Sequence, residues 1–152
     1  LEFRGNKATN ITVTVGDLAH INTATTPDSW RSTPASANTQ GPFGLVTETV
    51  PSADGSAVFS VKCNIIGYLI IDGAAEVWSK LQAADANVGR VKAFTGTTVG
   101  GTYAQAESQG IQSDRFRQVG WCLGTADTWD TGAPAAAADG NLVAVLMPWG
   151  GL

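Results

Sequence analysis

Residues 57–72 read AVFSVKCNIIGYLIID, and their alternation sets the fold class. Phe59, Val61, Cys63 and Ile65 fall on one face and Ser60, Lys62 and Asn64 on the other. This is the period of two of a strand with one buried and one wet face. Gly67 interrupts the alternation, and Tyr68, Leu69, Ile70 and Ile71 are apolar on both faces. A glycine inside a strand pattern marks a bulge, a bend or a close backbone approach. The expectation is one long strand bent at Gly67, half-exposed before it and fully buried after it, as where a strand turns the corner of a small barrel.

Upstream, Ile11, Val13 and Val15 alternate with threonines and stop at the turn pair Gly16–Asp17, after which LAHI (18–21) resumes the strand. Residues 1–10 have no periodicity and read as an extended N-terminal arm, leaving 11–152 as a single domain. Residues 22–40 form a long unpatterned loop, and loops of that length are usually functional or mobile. GPFGLVTETV (41–50) is a turn into a strand. Downstream, AAEVWSKLQAAD (74–85) is the one candidate helix, with Val77 and Trp78 spaced four and three residues from Leu81. Residues 90–94, 116–123 and 141–148 read as strands, separated by loops at 95–113 and 125–139. Seven or eight strands without βαβ alternation give an all-β fold, a small β-barrel or compact sandwich with long loops.

Composition agrees. Of 152 residues only 14% are charged and 43% hydrophobic, with 18 glycines punctuating the apolar runs. That is too apolar for disorder and too interrupted for a helical bundle. A net charge of −4 with scattered basic residues points away from a nucleic-acid partner. No apolar run approaches the ~20 residues of a membrane-spanning helix, and residues 1–20 lack a signal-peptide layout. The chain begins at Leu1 rather than Met, which leaves an upstream segment open.

The chemistry-bearing residues form no catalytic pattern, and the expectation is a protein that is not an enzyme. His20 is the sole histidine, with no GxSxG turn, HExxH or phosphate loop to join it. Cys63 and Cys122 lack metal-ligand spacing and read as buried free thiols. Asp127, Asp130 and Asp139 match no calcium loop and are ordinary turn formers, so neither a metal nor a cofactor is expected. Each long loop carries one large ring, Trp30, Tyr103 and Trp129, and Trp149 lies near the end. Such rings either fold back over the ends of the domain or anchor a protein interface, where Trp and Tyr dominate. Stacking on sugars beside Asp and Asn side chains is the competing use, a carbohydrate-binding β-domain.

The order of short motifs adds a further reading. VGDL (15–18) ends a strand, GPFGLV (41–46) turns into one, Asp54–Gly55 leads to the strand containing Gly67, VGW (119–121) recurs late, and DGNLV (139–143) opens the last strand. From about residue 10 to 148 this series resembles the small β-barrel capsid decoration, or cement, proteins of tailed bacteriophages. The resemblance implies a non-enzymatic structural protein on the virion exterior that grips the major capsid protein and stabilises the capsid, often as a homotrimer. Gly16, Gly44, Gly67 and Gly120 would then serve backbone geometry. Contact would fall to the arm, through Leu1, Phe3 and Arg4, and to the rings Trp30, Tyr103, Trp129 and Trp149. The long loops depart from the short members of that family.

Overall fold

The structure, a computed structural model, describes residues 2–6, 12–21, 30–32, 43–51, 58–63, 65–87, 89–96 and 105–148. Ten strands and one helix follow in order: β1 (Glu2–Asn6), β2 (Leu18–Ile21), β3 (Trp30–Ser32), β4 (Phe43–Val46), β5 (Val58–Lys62), β6 (Ile65–Ile70), β7 (Lys80–Ala83), β8 (Val91–Ala93), α1 (Gln105–Arg117), β9 (Gln118–Thr125) and β10 (Leu142–Met147). They form two five-stranded antiparallel sheets, ordered β1-β5-β4-β2-β3 and β6-β10-β9-β7-β8. The fold is all-β and sandwich-like. The second sheet curls until its edge strands meet at one parallel bridge, Ile71 to Val91, without closing a barrel.

Residues 57–72 are therefore two strands in two sheets. The chain crosses from one sheet to the other between Lys62 and Ile65, whereas Gly67 lies inside β6 in regular register with Val145. The corner is real but falls earlier than the glycine. A Cβ on Gly67 would come 3.1 Å from Leu45 Cδ2 and 3.3 Å from Met147 Sδ, so the glycine admits the close approach of the two sheets. Ser60, on the face expected to be wet, is buried, and its hydroxyl lies 3.3 Å from Glu48 Oε2.

The core follows the same division. Leu69, Ile71, Leu81, Val91, Val119, Cys122, Val143, Val145 and Met147 fill the concave side of the curled sheet, and Leu18 and Phe43 of the other sheet reach in. Val13, Ala19, Val46, Val50, Val61 and Cys63 make a second cluster. Successive β2 residues, Leu18 and Ala19, thus serve different cores, as strand alternation requires. Full burial of each large aliphatic chain contributes roughly 1.5–3 kcal/mol.

Four further expectations change. The stretch read as an arm contains β1, an edge strand paired antiparallel with β5 from Glu2–Lys62 to Asn6–Val58. The alternating residues before Gly16 give an isolated bridge, Val13 to Val50, with a turn at Val15–Gly16. No helix forms at 74–85: Ala75 bridges Ala137, a turn follows, and residues 80–83 are β7 between β9 and β8. Tertiary pairing overrides the local helical spacing there. The helix begins instead in the expected loop at 95–113 and runs on through the first two residues of the strand expected at 116–123; its sequence, QAESQGIQSDRFR, has no apolar stripe. Its C-terminal turn is fastened by an Asp114–Arg117 ion pair, with the Arg117 guanidinium 5.5 Å over the Phe94 ring.

Candidate docking surface

The convex face of β6 and β10 is where the molecule departs from an ordinary solvated sheet. Antiparallel register places Ile66 opposite Leu146, Tyr68 opposite Ala144 and Ile70 opposite Leu142. Strand alternation sends Gly67, Leu69 and Ile71 inward and leaves Ile66, Tyr68 and Ile70 exposed, with Leu142 and Leu146 beside them. An antiparallel sheet normally carries polar residues on its wet face; here the Tyr68 hydroxyl is the one polar side-chain group of β6 and β10 on it, and the rest is aliphatic. Tyr68 and Ile70 were expected to be buried with their neighbours, and their 42% and 39% exposure shows otherwise. β6 is also an edge strand, and it has none of the charges or prolines that usually guard an edge.

The turn before β2 extends the patch. Val15, 55% exposed, joins Tyr68, Ile70 and Leu142 around an open groove of about 380 Å³. Gly16, with φ +91°, makes this turn, and its N–H bonds the Val46 carbonyl at 2.9 Å. Asp17 closes it by accepting from the Thr14 N–H at 2.9 Å. Asp17 and Arg90 supply the groove's charged groups, yet they make no ion pair with each other. Burial pushes the Asp17 carboxyl above the usual carboxylate range, partly offset by the Thr14 hydrogen bond.

Tyr68 is held from outside the strand. Its hydroxyl accepts from Trp129 Nε1 at 3.1 Å. Trp129 is positioned by the turn after β9, where its N–H bonds the Thr125 carbonyl and Thr128 Oγ1 accepts from the Ala135 N–H at 2.9 Å. The same segment crosses Gly124, where a Cβ would meet Pro134 at 3.0 Å. The half-buried Trp129 thus braces the exposed apolar face, with its indole N–H already engaged.

A second ring stands apart. Trp78 is 67% exposed, the most exposed large apolar side chain among the described residues, and has φ +65°. It sits in a four-residue turn closed by the Ser79 N–H to Glu76 carbonyl bond at 3.1 Å, with its own N–H on the Cys122 carbonyl at 2.6 Å. A bulky residue in the left-handed region costs about 1–2 kcal/mol relative to ordinary backbone.

The residues singled out in the sequence are dispersed. Leu1, Tyr103 and Trp149 lie outside the described residues. Phe3 is on β1 opposite Val61 and Trp30 on β3 opposite Ile21. Arg4 is exposed, 3.8 Å from Glu48. Gly44 and Gly120 sit where backbone and side chains crowd: a Cβ on Gly44 would overlap Val61 Cγ1, and one on Gly120 the Leu146 carbonyl oxygen. His20 is on β2, between Phe43 and Arg31 in the register. Asp139 accepts from the Gly73 N–H at 2.9 Å, while Asp127 and Asp130 are exposed. Both thiols are buried; burial pushes Cys63 up to about 11, and its Sγ lies 3.4 Å from the Phe43 carbonyl. The missed residues are Val15, Ile66, Tyr68, Ile70, Trp78, Leu142 and Leu146. Their signal was present: in an antiparallel fold, a strand apolar on both faces must leave one face uncovered unless another layer covers it.

No protein-family model matches the chain, and no curated protein does. Among solved structures, the crystal structure of the head fiber gp8.5 N base in bacteriophage phi29 shares its fold, with a TM-score of 0.56 and 12% identity. The correspondence covers 100% of this chain and 97% of that one.

Proposed function

We propose that this chain is a structural protein of a bacteriophage virion, held on the outside of the head. The observation that carries this reading is the whole-length fold likeness to the base of a phage head fiber, with all ten strands and the helix inside the matched span. The apolar convex face supports it, since a monomeric soluble protein rarely leaves such a patch bare. In finer terms, the chain binds the outer surface of the major capsid protein lattice, stabilises the capsid and assembles as a homo-oligomer, a trimer by its resemblance to decoration proteins. Its role is then structural rather than catalytic.

The test is to label intact, purified virions of the phage that encodes this chain with an antibody raised against it. Regular gold decoration over the head is the expected result. Absence of the chain from purified particles by mass spectrometry would overturn the reading.

A further inference from the structure

Two features of the surface have no role within a single copy. One is the exposed Trp78 ring on a strained turn; the other is the groove beside β6. Trp78 is not among the groove's lining residues, so the two are separate patches.

The groove has the chemistry of a receptor for an indole. Val15, Tyr68, Ile70 and Leu142 give apolar walls, and a volume of about 380 Å³ admits a large ring. Arg90 offers a guanidinium to stack on an aromatic face, and Asp17 offers a carboxylate to accept an indole N–H. Neither Asp17 nor Arg90 is paired with another charged side chain among the described residues. An exposed indole is the complementary group, and this chain presents one at its most exposed apolar position.

We infer that Trp78 of one copy seats in the groove of a second copy, between Ile70 and Arg90, with its N–H on Asp17. The contact joins two different patches and is heterologous, and such contacts build rings when the rotation closes. A ring is the assembly that the homo-oligomer part of the proposed function calls for, and the inference rests on that part alone, not on attachment to the capsid. It also accounts for the backbone at Trp78. The turn would accept glycine more readily, and the strain is retained where the ring is used.

The experiment is sedimentation velocity of the full chain over a range of concentrations, with two variants. Trp78→Gly removes the ring and relieves the positive φ, so at low concentration, where both are monomeric, it is expected to melt no lower than the wild type, while its self-association weakens at least about 30-fold. Ile70→Lys blocks the groove at an exposed position on an edge strand and is expected to be folded and monomeric. Mixing the two is decisive. The glycine variant keeps an intact groove and the lysine variant an intact ring, so together they form a one-to-one complex and no larger ring. A wild type that is monomeric at all concentrations overturns both this contact and the homo-oligomer reading. A wild type that assembles equally well without Trp78 overturns the contact and leaves the oligomer standing. If both variants are monomeric but the mixture does not associate, the ring and the groove do not meet, and the contact fails.

Discussion

β5 and β6 are consecutive, similar in composition and separated by two residues, yet they end in opposite situations. β5 lies inside its sheet, between β1 and β4, and its outward Lys62 is charged. Its partly polar sequence, VFSVK, is the one expected of a strand with one wet face. β6, IIGYLI, is an edge, and its outward side chains are two isoleucines and a tyrosine. Inward, Val61 of β5 and Leu69 of β6 are both fully buried. The difference outward separates a surface with a charged side chain in water from an uncovered apolar one.

That comparison can be broken most directly at adjacent residues. The largest effect is expected away from the docking face, at Gly120→Ala, where the new Cβ overlaps a backbone carbonyl that no rotamer change relieves. Chemical denaturation should show a loss of about 3 kcal/mol or more. Leu69→Ala, on the inward side of β6, should cost about 2–5 kcal/mol by the same measurement, because Leu69 is fully buried. Its neighbour Ile70, changed to Lys, should stay within about 0.5 kcal/mol of the wild type when both are monomeric at low protein concentration, since its side chain faces outward. A large loss for Ile70→Lys would mean that the convex face is part of the core and not a docking surface. Tyr68→Phe removes the acceptor for Trp129 and should cost about 0.5–1.5 kcal/mol, with a red-shifted, more mobile Trp129 signal.

The smallest effect concerns Asp17, whose folded pKa lies above its unfolded one. As pH rises from the ordinary carboxylate range, the unfolded chain releases the proton first. Stability from this group is therefore complete at low pH and lost as pH climbs to the folded pKa. Asp17→Asn keeps an acceptor for the Thr14 N–H and has no such titration. Its melting temperature relative to the wild type should rise across that window and level off above it. A difference independent of pH would contradict the burial argument.

Much of the sandwich was legible because its strands are short apolar alternations between turn residues. β2, β4, β5, β8 and β10 fall within stretches that read as strands from spacing alone, and β9 overlaps one, starting two residues later and running to Thr125. The helix did not announce itself: α1 has no apolar face, and the Asp114–Arg117 ion pair and the Arg117 contacts with Phe94 and Thr95 that fasten its end join residues whose pairing spacing does not reveal. The segment 74–85 misled for the opposite reason, since two chance apolar spacings imitate a helix while the β9 and β8 ladders hold the backbone extended. The switch of sheets after Lys62 carries no sequence mark, whereas Gly67, which looks like a corner, serves close packing. Exposure was the least legible property. Whether Ile70 is buried depends on whether another layer covers its face, as the exposed Leu142 and Leu146 of the interior strand β10 show, and that is fixed by packing far away along the chain.

The central claim is that this fold serves as a structural component on a phage head. Co-sedimentation of the purified protein with empty capsids of the phage proposed to carry it tests this most directly. The account predicts saturable binding at a fixed ratio to the capsid subunits. Protein that remains wholly in the supernatant at concentrations well above those of the capsid sites would contradict it.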